Sequence, residues 1–91
     1  MHAKFSLGHT EATRAALSIL EQVAVSHNEI LDAHASQNPA MISELQLVLN
    51  KEAIENGDRV ISDFTLAGNK VVRVSTVHNR SYTTIMLPNE M

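Results

Sequence analysis

The fold is decided by the stretch at residues 60–87, which reads VISDFTLAGNKVVRVSTVHNRSYTTIML. Apolar or β-branched residues alternate with others along it, and a period of two is typical of a strand with one buried face. Two turn-forming pairs, Gly68-Asn69 and Asn79-Arg80, interrupt the alternation. The stretch therefore predicts a three-stranded antiparallel meander, which Pro88 should end because proline has no N–H to donate.

Register decides which side chains share the buried face of this meander, because a slip of one residue turns every side chain over. An odd number of residues in the first connection, with a bulge near Gly68, would place Phe64 beside Val74. The same register would place Leu66 beside Val72. For the second hairpin, a two-residue loop predicts the pairs His78–Ser81, Thr76–Thr83, Val74–Ile85 and Val72–Leu87.

Residues 13–56 have the patterns of helices. Thr13 is a suitable cap for a first helix, in which apolar residues recur at spacings of three and four. Ser26 and Glu29 form a Ser-x-x-Glu capping box, which predicts a break near Val25 and a second, shorter helix. The alternative is one continuous helix from residue 10 to residue 36, because no helix-breaking residue stands at positions 24 and 25.

A third helix is predicted to begin at Asn38-Pro39 and to stop at Asn56-Gly57. Its apolar residues lie on one face and are Met41, Leu45, Val48, Leu49 and Ala53. Before the first helix, residues 4–7 could form a short edge strand, with Gly8 supplying a bend. We therefore expect one α+β domain over residues 1–91, with two or three N-terminal helices (about 13–56) packed on the meander (about 59–88).

Composition narrows the class of protein. With 44% hydrophobic and 19% charged residues the chain should fold, and 3% aromatic residues imply an aliphatic core. A net charge of −3 without a basic run makes nucleic-acid binding unlikely as a function. The absence of cysteine excludes disulfides and thiolate sites. No signal-peptide or membrane-spanning pattern is found, so we expect a cytoplasmic protein that does not enter a membrane.

Residues 50–62 (NKEAIENGDRVIS), Thr76 and residues 80–88 (RSYTTIMLP) resemble a known family. Its members are small proteins of similar length on bacterial plasmids, integrative elements and phages, usually labelled plasmid-related or hypothetical. At the N-terminus, residues 5–8 and 13–17 lie where that family has an apolar-x-Leu-Gly step and a Thr-Pro-Gly-Ala-Leu helix entry. The resemblance covers nearly the whole chain and implies a mobile genetic element as its setting.

The chain departs from the family in three places, one of which is Met91, where the family tends to have a terminal tyrosine. His34 matches a family histidine, but residues 36–39 replace the Gly-Asp-Trp-Gly that usually follows it. Residues 76–81 stand where the family tends to have Thr-Glu-x-Asp-Arg-Ser, so two carboxylates are missing. If relatives use those carboxylates in catalysis, this chain has lost that chemistry.

A polar cluster is the sharpest candidate site, because these side chains should meet where the helices cover one end of the sheet. Its members are His34, Asn50, Ser62, Thr76, Arg80, Ser81 and Thr83. Histidine as a base, hydroxyls and a cation could serve acid–base or phosphoryl chemistry. Buried hydroxyls on neighbouring strands also commonly bond to one another, and this structural interpretation is favoured.

We predict no metal site and no cofactor. His27 and His34 would lie about 10 Å apart along a continuous helix, which is too far for one shared ion. His34 also has no helical partner at a ligand spacing that converges with a third residue.

The solvent face of the meander is the predicted interaction surface. Its residues are Ile61, Val71, Arg73, Val77, Tyr82 and Met86. An apolar patch on a face that is usually polar indicates a protein partner or a second copy. The preferred function is therefore a non-enzymatic interaction module encoded on a mobile genetic element.

The alternative function is a divergent or inactive small hydrolase or ribonuclease. The order of elements is similar to that of small toxin ribonucleases of the RelE type, for which the comparable groups here are Arg73, Arg80, Tyr82 and His78. The negative net charge opposes binding to a polyanion.

Overall fold

The computed structural model describes residues 3–90, which form three helices and four strands. In chain order these are β1 (His9–Ala12), α1 (Arg14–Gln22), α2 (His27–Ser36), α3 (Glu44–Asn56), β2 (Val60–Leu66), β3 (Lys70–Thr76) and β4 (Tyr82–Met86). Short 3₁₀ turns occupy Ala67–Asn69 and Pro88–Glu90. The α+β class is confirmed. Among residues 3–90, no helix has both the length and the apolar character that crossing a membrane requires.

The sheet is four-stranded and mixed, with strand order β1-β4-β3-β2. β2, β3 and β4 form the predicted antiparallel meander, but β1 adds a parallel strand beside β4. The predicted antiparallel meander is therefore confirmed, but the sheet as a whole has four strands and is mixed. The edge strand predicted at residues 4–7 is misplaced, because Lys4 N–H donates to the Ala35 carbonyl of α2 and the chain joins the sheet only after Gly8.

The β3–β4 register agrees with the sequence at its centre. Thr76 pairs with Thr83 and Val74 with Ile85, as predicted, and the ladder stops at Arg73 and Met86. The connection is longer than the predicted two-residue loop. Val77 N–H donates to the Tyr82 carbonyl and Arg80, at φ +60°, closes a turn onto Val77, so residues 78 and 81 are not a ladder pair.

The β2–β3 register differs from the prediction by two residues. Phe64 pairs with Val72, and Val74 pairs with Ser62 instead of with Phe64. The connection does hold an odd number of residues, Ala67–Asn69, with Gly68 at φ +75°. Because the shift is even, the predicted buried face is retained, and Phe64, Val72 and Val74 all lie in the core.

The helix boundaries follow side-chain caps. Ser26 Oγ accepts a hydrogen bond from Glu29 N at 3.1 Å, which confirms the predicted break, and the continuous helix is wrong. α3 begins after Ser43, whose hydroxyl accepts from Gln46 N, and not at Asn38-Pro39. Asn38 instead accepts from Ala40 N through its side chain and closes a turn before the helix.

The core lies between α1, α2 and the inner face of the sheet. Its buried members are Ala16, Leu20, Ile30, Leu31, Ala33, Ile42, Phe64, Val72, Val74 and Ile85. α3 lies instead along the outer edge of β2. There Asn50 Oδ1 accepts from Ile61 N at 3.2 Å, and Gln46 Oε1 accepts from Asp63 N at 2.8 Å.

This edge contact explains why α3 exposes much of its apolar face. Four helical residues rise about 6 Å, close to the roughly 6.7 Å between alternate strand residues, so Gln46 and Asn50 match successive outward N–H groups of β2. The face that bears these two amides is turned to the sheet. Leu45, Val48 and Leu49 remain 70%, 55% and 54% exposed.

Candidate functional site

His34 lies at the centre of a buried polar network between α2 and the inner face of the sheet. Its imidazole is fully buried. Nδ1 lies 2.7 Å from Ser62 Oγ on β2, and Nε2 lies 2.9 Å from Thr76 Oγ1 on β3. Both ring nitrogens are therefore occupied by hydroxyls of neighbouring strands.

The direction of the hydrogen bonds follows from the far end of the network. The Leu7 carbonyl can only accept, so Thr83 donates to it at 2.7 Å. Thr76 must then donate to Thr83, at 2.7 Å, and accept from His34. His34 therefore carries a proton on Nε2, and in the neutral imidazole its Nδ1 accepts from the hydroxyl of Ser62.

Two amide side chains complete the network on the side of α3. Asn50 Nδ2 donates to Ser62 Oγ at 3.2 Å and to Gln37 Oε1 at 3.0 Å. Gln37 Nε2 donates to the His34 carbonyl at 2.7 Å and, at 3.4 Å, to Ser62. Within residues 3–90, no buried side-chain nitrogen or oxygen is left without a hydrogen-bond partner.

Phe5 covers the network from the N-terminal segment. Its ring meets the His34 ring edge to face, with centroids 5.1 Å apart, and the Arg80 guanidinium carbon lies 5.5 Å from the Phe5 centroid. Arg80 does not enter the hydrogen-bond network. Its guanidinium donates to the carbonyls of Asp58, Ala53 and Val77, which ties the β3–β4 loop to the C-terminal end of α3.

The structure thus brings together five of the seven predicted cluster residues: His34, Asn50, Ser62, Thr76 and Thr83. Arg80 approaches only through Phe5, and Ser81 is exposed in the loop with its N–H bound to Asn79 Oδ1. Gln37 and Phe5 were missed. Gln37 adopts a left-handed conformation at φ 53° at the end of α2, and no sequence signal marks a glutamine for that role.

The geometry favours a structural role for the cluster. Burial, aided by the positive charge of Arg80, lowers the pKa of His34 from 6.5 to about 3. A general base needs a pKa near the working pH and a path to the substrate proton. His34 has a fully buried ring and both nitrogens engaged, so it has neither in this arrangement.

The neutral state of His34 predicts a loss of stability in mild acid. Unfolding restores a pKa near 6.5, so below that pH the unfolded chain binds a proton that the native chain does not bind until about pH 3. Stability is therefore lost as the pH falls from 6.5 toward 3. The His34 contribution should amount to about 2 kcal/mol between pH 7 and pH 5, measured by urea unfolding at each pH.

A His34→Gln variant is the matched control, because other titrating groups contribute equally to both proteins. The difference between the two pH profiles should isolate the histidine term. Long-range ¹⁵N–¹H NMR should also report a proton on Nε2 at pH 5. Parallel stability profiles for the two proteins would contradict the neutral, buried assignment.

Five of the six predicted interaction residues lie at outward-facing positions of β2, β3 and β4, and Val77 follows directly after β3. Tyr82 is 44% exposed, whereas Val77 is buried and the other four are half-buried. Arg73 forms a two-pronged ion pair with Asp63, at 2.8 and 3.1 Å, and this hydrogen bonding raises the pKa of Arg73. Arg59 reaches across the same face to Ser75 at 3.0 Å.

No grouping of three histidine, aspartate or glutamate side chains suited to a metal ion occurs in the described part of the chain. We compared the chain with protein-family models, with curated proteins and with solved structures. None matches.

Proposed function

We propose that the protein is a small non-enzymatic interaction module, encoded on a mobile genetic element, that works by binding protein and first of all a second copy of itself. The observation that carries the proposal is the solvent-facing stripe Leu45, Val48 and Leu49 on α3. A contiguous apolar patch on a soluble domain marks an interaction site more often than an isolated leucine does. The mobile-element setting is supported by the family resemblance of the sequence.

A groove adjoins this stripe, and Val48 belongs to both of them. It has a volume of about 490 Å³ and an apolar floor that includes Pro39, Leu47 and Ile54. The stripe is a ridge on the outer side of α3, and the groove runs between α3 and the N-terminal segment. In a two-fold dimer the same surface meets itself, so the ridge of each copy could enter the groove of the other.

Charges near the ridge and the groove also favour a second copy. Glu44 and Glu52 lie four residues before and after Val48 and flank the ridge, whereas Lys4 and Lys51 stand at the groove. Ridge-into-groove packing would bring carboxylates toward lysines at both ends of the interface. Glu55 also lines the groove and partly offsets this attraction.

The outer face of the sheet is a second candidate surface. Tyr82 is its most exposed apolar side chain among the residues predicted for docking. The alternative function, a divergent hydrolase or ribonuclease, receives less support. The guanidinium groups of Arg73 and Arg80 are engaged by Asp63 and by backbone carbonyls, and the histidine of the cluster is enclosed.

Leu49→Glu should weaken self-association. Burying a leucine contributes about 1.5–3 kcal/mol, so the dimer dissociation constant should rise at least tenfold. Light scattering and sedimentation over a range of protein concentrations would measure it. The wild-type protein should be dimeric at the upper end of that range and the variant monomeric.

Tyr82→Asp is the matched control, because it places a charge on an exposed apolar residue of the other candidate surface. It should leave the dimer intact if α3 forms the interface. Dissociation by Tyr82→Asp and not by Leu49→Glu would instead place the interface on the sheet. A wild-type protein that stays monomeric throughout the range would refute self-association.

A further inference from the structure

The two edges of the sheet differ in whether their outward N–H groups are hydrogen-bonded. At the β2 edge, outward N–H groups are bound by the side chains of Gln46 and Asn50. At the β1 edge, the hydrogen bonds from His9 N to Ser81 O and from Thr13 N to Ile85 O show which groups face β4. Strand alternation then turns the N–H groups of Thr10 and Ala12 outward, and within residues 3–90 neither has an acceptor.

The β1 edge has only two of the usual protections of an exposed strand, its short length of four residues and the charge of Glu11. Proteins commonly blunt a free edge with lysine, proline, a bulge or a covering element. β1 reads His-Thr-Glu-Ala, and its first three residues are exposed. An edge with free donors is the feature to which an extended peptide adds as a new strand.

A trough runs along this edge and would receive such a strand. Two adjoining hollows of about 910 and 230 Å³ share Thr10 and Leu31, and they separate β1 from the beginning of α2. Leu7, Leu17 and Leu31 provide apolar contacts along the trough. It is therefore bounded by backbone donors on one side and by a helix on the other.

The charge of the trough selects the occupant. Of the residues that the structure describes, three with carboxylates line it, Glu11, Glu29 and Asp32, and no lysine or arginine does. We propose that the β1 edge binds an extended, lysine- or arginine-bearing peptide segment of a partner protein, which pairs with Thr10 and Ala12 as a fifth strand. The acidic side chains would face its cations, and a central apolar side chain would rest on the leucines.

This surface is separate from α3, so the proposal does not depend on self-association. The test uses the full chain carrying Leu49→Glu, with ¹⁵N–¹H NMR titration at low salt. The probe is the acetylated and amidated peptide Lys-Lys-Thr-Val-Thr-Lys-Lys. One control peptide has glutamate in place of each lysine, and another is N-methylated at its three central residues.

The lysine peptide should bind saturably, with the largest amide shifts at Thr10 and Ala12. Each control peptide should bind at least tenfold more weakly, because one loses the charge match and the other loses strand donors. The double variant Glu29→Lys/Asp32→Lys should weaken binding at least tenfold. Thr10→Pro should do the same by removing an outward donor, with the β1–β4 ladder retained because that N–H faces away from β4.

Several results would overturn the proposal. These are the absence of saturable binding, equal binding of the N-methylated peptide, and shifts centred away from β1. Undiminished binding to the charge-reversed double variant would also overturn it. If Thr10→Pro fails to fold, the double variant and the peptide pair decide the matter without it. Loss of dimerisation by Leu49→Glu leaves all of these outcomes readable.

Discussion

Replacing His34 by alanine is expected to lower the free energy of unfolding by about 4 kcal/mol or more, near the upper end for a single substitution. The ring fills a fully buried position, so its loss leaves a cavity. It also removes the acceptor of the Ser62 hydroxyl and the donor to Thr76. Each buried polar group left unsatisfied costs about 1–3 kcal/mol. Urea unfolding would measure the loss, and thermal unfolding should shift by about 20 °C.

His27→Ala is the matched control, because His27 is an exposed residue at the start of the same helix. It should change stability by no more than about 0.5 kcal/mol. Ser62→Ala and the double variant His34→Ala/Ser62→Ala complete a double-mutant cycle. The coupling free energy between residues 34 and 62 should be about 1 kcal/mol or more. A His34→Ala loss below about 1.5 kcal/mol would show that the site collapses easily and that the network contributes little.

The network has a further consequence for the specificity of the fold. It joins five elements of the chain, because α2, β2, β3, β4 and α3 contribute, in that order, His34, Ser62, Thr76, Thr83 and Asn50. A one-residue slip of any strand would turn its hydroxyl to the outer face and orphan a partner in the core. Buried polar groups of this kind penalise wrong pairings more than they strengthen the correct one.

Local signals predicted much of this architecture. The pairing of Thr76 with Thr83 followed from the alternation on either side of the second turn, and that pairing places the two hydroxyls in contact. Ser26 marked a helix start because its capping partner lies at the required spacing. Gly57 ended α3 because a left-handed residue is needed there. Each of these features depends on residues near one another in sequence.

Contacts between residues far apart in sequence account for most of the features that the sequence did not predict. β1 pairs with a strand more than seventy positions away, and its four residues show no apolar alternation. Ser43 stands in a Ser-x-x-Gln pattern that indicates a cap, but Asn38-Pro39 gave the stronger local signal. The exposure of Leu45 and Leu49 arises because Gln46 and Asn50 find partners on β2, which helical periodicity cannot reveal.

Gly8→Ala is the second substitution expected to have a large effect, with a loss of about 3 kcal/mol or more. Gly8 adopts φ +65°, a conformation that side-chain-bearing residues rarely adopt. A Cβ there would lie 2.5 Å from the Arg80 carbonyl oxygen and closer still to that of Ser81. Those atoms are backbone, so β1 would have to move away from β4 and weaken the bond from His9 to Ser81.

Gly57→Ala is the matched control, because it separates the cost of the left-handed backbone conformation from the cost of the steric clash. Gly57 has a similar φ of +71°, but a Cβ there would meet nothing within 4 Å. It should therefore cost only the left-handed penalty of about 1 kcal/mol. Urea unfolding of both variants would measure how much more stability Gly8→Ala loses than Gly57→Ala. This difference is the cost of the close approach of β1 to the β3–β4 loop. Equal losses would mean that β1 shifts freely, and the strand would then be a weaker template for an added peptide than its hydrogen bonds suggest.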